Sequence, residues 1–82
     1  MRNANLKEVV RWIDGLMEGS NPHRHDLLRV ERKGSMIYIR PLTVPGLDTK
    51  EIIGRVLNKS GIPFRKTAYW FEFELSDFAK LD

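Results

Sequence analysis

The chain of 82 residues has no cysteine. That excludes a disulfide frame, a thiolate nucleophile and a cysteine zinc site, and it fits a cytoplasmic protein. Glutamine is also absent, and arginine outnumbers lysine eight to six. Few thermolabile residues beside many charges is a thermophile pattern. No apolar run approaches the roughly 18–20 residues that cross a bilayer, so no membrane partner is expected. Met1-Arg2-Asn3 leads into an amphipathic segment rather than a signal peptide. There is no P-loop, metal triad or nucleophile elbow. His23, His25, Asp26, Glu72 and Glu74 form no recognisable acid–base constellation. Catalysis, a cofactor and a metal are therefore not expected. His23-x-His25-Asp26 reads as a solvated loop, because a metal site needs more ligands than it offers.

What remains is a small basic domain spanning 1–82, with no linker or internal repeat. The net charge is +3. Residues 24–66 hold ten basic and four acidic side chains, whereas residues 67–82 hold one basic and four acidic. The asymmetry points to an anionic partner for the middle of the chain.

Two helices are expected. Asn5 and Glu8 form a capping-box pattern, and Leu6, Val9, Val10, Ile13, Leu16 and Met17 then make one apolar stripe with Trp12 at its margin. Gly19 is the expected stop. Asp48 and Glu51 open the second helix, whose stripe is Ile52, Ile53, Val56 and Leu57. Ser60-Gly61 and Pro63 close it. Gly54 weakens that helix by about 1 kcal/mol relative to alanine, so it marks close packing or is simply tolerated.

Between the helices, residues 27–33 and 36–41 read as a hairpin about Gly34-Ser35. A two-residue turn sets Arg29 opposite Arg40 and Glu31 opposite Tyr38. A like-charged cross-strand pair is unfavourable alone, so it needs a nearby carboxylate or a bound anion. Leu42-Thr43-Val44-Pro45 is either a short edge strand or an extended connection. The strongest strand signal is Thr67–Leu75. Period 2 assigns Tyr69, Phe71, Phe73 and Leu75 to a core face, and leaves Trp70 outside with Glu72 and Glu74. Ser76 or Asp77 then caps a short terminal turn of helix that tucks in Phe78 and Leu81.

The expected fold is an α+β two-layer sandwich of order α-β-β-(β)-α-β. Two helices cover one face of a three- or four-stranded, mainly antiparallel sheet. The crossover through the second helix is expected to make the strands it joins parallel.

The run Arg29-Val30-Glu31-Arg32-Lys33-Gly34-Ser35-Met36-Ile37-Tyr38-Ile39, then Thr43-Val44-Pro45 and a helix ending Val56-Leu57-Asn58-Lys59-Ser60-Gly61-Ile62, resembles the HicA-type mRNA interferases. The resemblance covers residues 5–62 and implies a double-stranded-RNA-binding-like fold. That family's catalytic histidine follows the Gly-Ser, where this chain has Met36. A relative without it would bind RNA without cleaving it.

Nucleic acid, RNA more than DNA, is thus the expected partner. The candidate contacts are Arg29, Arg32, Lys33, Arg40, Arg55, Lys59, Arg65 and Lys66. The alternative is a homodimer or protein partner held by the open sheet face around Tyr38, Trp70 and Met36.

Overall fold

The computed structural model describes residues 4–17, 28–43, 45–46 and 48–81. The elements are α1 (Leu6–Met17), β1 (Leu28–Lys33), β2 (Met36–Pro41), α2 (Thr49–Ser60), β3 (Arg65–Lys66), β4 (Phe71–Glu74) and α3 (Leu75–Ala79). The expected α+β sandwich is present, with one four-stranded sheet of order β1-β2-β4-β3, antiparallel throughout. The Gly19 stop and His23, His25 and Asp26 lie outside the described residues.

Both helices start as their caps dictate. Asn5 Oδ1 accepts from the Glu8 N–H at 2.9 Å, and Asp48 Oδ1 accepts from the Glu51 N–H at 3.1 Å. The end of α2 is fixed by Gly61, whose φ of 82° lies in the left-handed region that suits glycine. In α1 the buried positions are Val9, Ile13 and Met17. The stripe is rotated from the expected one: Val10 is exposed, while Trp12 packs edge-on against Phe73 and Phe78. Two aromatic partners on that side draw the helix round.

The first hairpin has the expected register, with Arg29 opposite Arg40, Val30 opposite Ile39 and Glu31 opposite Tyr38. Ile37 and Ile39 of β2, with Phe71 and Phe73 of β4, face the helices and join Val9, Ile13, Ile53 and Leu57 in one core. Gly54 is there for close approach, since an added Cβ would lie 3.3 Å from Phe71 Cζ.

The long final strand is corrected. Only Phe71–Glu74 is β4, and Tyr69 is 72% exposed rather than in the core. The reason is Thr67. Its hydroxyl accepts from the Tyr69 and Trp70 N–H groups and donates to the Trp70 carbonyl, and the Thr67 N–H donates to that same carbonyl. A side chain that takes up local backbone groups in this way favours a turn over a ladder. The turn reverses the chain, so Arg65–Lys66 becomes a further strand, β3, paired with β4.

The crossover expectation changes with it. Helix α2 delivers β3, not β4. Two successive antiparallel pairings make β2 and β3 run the same way with β4 inserted between them, so β4 is antiparallel to β2. Leu42 and Thr43 form no strand. Leu75 belongs to α3, which has Glu74 at its N-cap position and no side-chain cap from Ser76 or Asp77. Phe78 is buried and Leu81 packs against the core, as expected.

Candidate nucleic-acid interface

The sheet face away from the helices is built from alternate strand residues. Cross-strand register places Arg29 beside Arg40 in a first row. Glu31, Tyr38, Glu72 and Arg65 form a second, and Lys33, Met36 and Glu74 a third. Trp70 precedes β4, and its ring packs edge-on to Tyr38 at 6.0 Å between centroids. Tyr69 lies beside Trp70, with centroids 6.4 Å apart and planes 33° apart. Phe78, which could have covered Trp70, is instead buried against Trp12.

The turn that carries these rings is held from the helical layer, where Lys50 Nζ donates to the Ala68 carbonyl at 2.9 Å. Trp70 Nε1 donates to Glu72 Oε1 at 3.3 Å, so its one polar edge is engaged. Lys33 Nζ stands 6.0 Å from the centre of the Tyr38 ring.

Two depressions meet on this face. One, of about 280 Å³, is lined by Arg29, Arg40, Pro41, Leu42 and Tyr69. The other, of about 240 Å³, is lined by Glu31, Lys33, Tyr38, Arg40 and Trp70. Arg40 lines both. Ion pairs join Arg11 to Glu8 at 3.4 Å and Arg55 to Glu51 at 4.0 Å, both on the helices. Neither Arg29 nor Arg40 has a carboxylate partner among the described residues. The like-charged pair therefore has no direct ion-pair partner among them, with the Glu31 carboxylate in the depression beside Arg40, and a bound anion would relieve it.

A third depression, of about 240 Å³, lies at the other end of the sheet and includes Met36, Arg65, Glu72, Glu74 and Asp77. Three carboxylates against one guanidinium make that end repel phosphate.

The eight candidate cations thus divide. Arg29, Lys33, Arg40 and Arg65 share the open face. Arg32 and Lys66 occupy alternate positions on the helix side, opposite Ile37 and Phe71, and Arg32 Nε donates to the Gly34 carbonyl at 2.8 Å. Arg55 and Lys59 are exposed on α2, in the helical layer. No single surface of the sheet gathers all eight. Tyr69, assigned from sequence to the core, is instead the most exposed ring at the site. The signal for it was Thr67, three residues ahead of Trp70.

No helix among the described residues is long and apolar enough to cross a membrane, and no group of three potential metal ligands occurs among them. The chain matches no protein-family model, and no curated protein or solved structure is significantly similar to it.

Proposed function

We propose that the chain is a small nucleic-acid-binding module that holds single-stranded RNA on the open face of its sheet without acting on it chemically. The observation that carries this reading is the Arg29–Arg40 pair, which has no ion-pair partner among the described residues and lines one depression with the exposed ring of Tyr69. Guanidinium groups bind phosphate strongly and in forked geometry. Rings on an exposed sheet face stack on unpaired bases, the usual route to recognising single-stranded RNA. The carboxylates Glu31, Glu72 and Glu74 confine phosphate to the arginine end and to the margin near Lys33.

The test is binding of labelled single- and double-stranded RNA and DNA at two salt concentrations. Single-stranded RNA is expected to bind best. Arg29→Ala and Arg40→Ala should each lower the salt slope by about 1. Absence of binding at low salt would overturn the reading.

A second reading, self-association or a protein partner at Tyr38, Trp70 and Met36, has its own support. The open face carries four cations and three carboxylates interspersed around aromatic rings, and small domains gain stability from association. Light scattering discriminates: a monomer at every concentration argues against a homodimer, and Trp70→Ala should weaken any dimer that forms.

A further inference from the structure

We infer that the depression between Glu31 and Trp70 is a seat for one unpaired guanine of the bound strand, with Glu31 as the residue that reads it. This rests on the RNA-binding reading above and makes it selective.

The depression of about 240 Å³ is lined by two rings, one carboxylate and two cations. That is room for a single base rather than a pair. Its potential readers are few. The indole N–H of Trp70 is taken by Glu72. Glu31 is half-buried and has no hydrogen-bond or ion-pair partner among the described residues. An ionised carboxylate only accepts, so it selects a base edge by the donors that edge presents.

Guanine offers two adjacent parallel donors, N1–H and the N2 amino group, which match both carboxylate oxygens. Adenine and cytosine each offer one amino group next to a ring nitrogen acceptor, which the carboxylate repels. Uracil offers one N–H between two carbonyl oxygens. Only guanine satisfies both oxygens without repulsion.

The flanking charges suit a strand passing through. Glu31 and Tyr38 form the middle row of the face, Lys33 lies in the row on one side and Arg40 in the row on the other. At about 3.4 Å per residue along a strand, those outer rows are about 13–14 Å apart, wider than two adjacent phosphates, so Lys33 and Arg40 can each take a phosphate on its own side of the seated base.

The experiment uses the full chain and fluorescein-labelled RNA pentamers, UUXUU, with X as guanine, adenine, cytosine, uracil or hypoxanthine. Trp70 emission is followed in parallel in a Trp12→Phe background. The guanine pentamer is expected to bind at least about tenfold tighter than the other three natural ones, the order of one bidentate base contact. Hypoxanthine, which lacks the N2 amino group, should fall between. Glu31→Gln should erase the preference for guanine over uracil, adenine and cytosine, whatever loss of its charge does to the affinity shared by all pentamers.

Equal binding of all pentamers would overturn the guanine seat and leave RNA binding standing. No binding of any pentamer at low salt would overturn both. Guanosine monophosphate binding as tightly as the guanine pentamer would overturn the strand-borne base in favour of a free nucleotide. The hypoxanthine arm needs no protein variant, so it decides even if a substitution disturbs folding.

Discussion

The two faces of this sheet are made by alternate residues of the same strands, yet they follow opposite rules. Toward the helices, Ile37, Ile39, Phe71 and Phe73 are buried against α1 and α2. On the other side, Tyr38, Arg40 and Glu72 stand in a mixed field with no layer above them among the described residues. The first face is apolar and closely packed, so volume decides its energetics. The second carries a like-charged pair that disfavours the fold slightly. A packed face and an open one are thus separated at one-residue spacing, and on the proposed reading single substitutions should move stability or recognition without the other.

The largest effect is expected from Phe71→Ala, which empties the position against which Gly54 and Phe64 pack. It should cost about 3–5 kcal/mol in denaturant unfolding, enough to consume much of the stability of a domain this small. Next, Tyr69→Ala should weaken RNA binding by about 1–3 kcal/mol while stability stays within about 0.5 kcal/mol. Comparable destabilisation by both variants would erase the division between the faces.

Arg29→Glu sharpens the comparison because its two effects have opposite signs. Replacing a like-charged cross-strand pair by an opposite one should raise stability by about 0.2–1 kcal/mol, seen as a higher unfolding midpoint, and should lower RNA affinity and its salt dependence. The smallest effect is expected from Arg55→Ala and Lys59→Ala. These lie in the helical layer, and the Arg55–Glu51 pair is solvent-exposed, so stability should change by at most about 0.5 kcal/mol and the salt slope should not change. A slope reduced as far as by Arg40→Ala would return α2 to the binding surface.

Much of this fold is legible in the sequence. The turn chemistry of Gly34-Ser35 fixes the first hairpin's register residue by residue, including the Arg29–Arg40 pair, and the caps at Asn5 and Asp48 place both long helices. The second hairpin was not legible. A buried Phe71, Phe73 and Leu75 at period 2 are satisfied equally by one long strand and by a short strand running into a helix. In the latter, Leu75 and Phe78 continue the buried face at three-residue spacing. Nothing in hydrophobic alternation reveals that the Thr67 hydroxyl will take the next backbone donors, and that local bond decides where Tyr69 goes. At the site, the same alternation that groups Arg29 with Lys33 already excludes Arg32 from their face. The arrangement of the two depressions about Arg40 depends on the reversal at 67–70 and could not be read from spacing.

The strand order has one more consequence. Among the described residues β1 pairs only with β2, which leaves a six-residue rim with backbone groups open to another chain. Such a rim invites growth into extended intermolecular sheets unless it is guarded. Here Arg29, Glu31 and Lys33 project to one side and Arg32 to the other, so the rim carries charged side chains on both faces, one of the ways such edges are guarded. The opposite rim, β3, is two residues long and follows Pro63, too short to template anything. The arginine and lysine side chains proposed to draw in an anionic strand thus also put charge along the edge most open to intermolecular pairing.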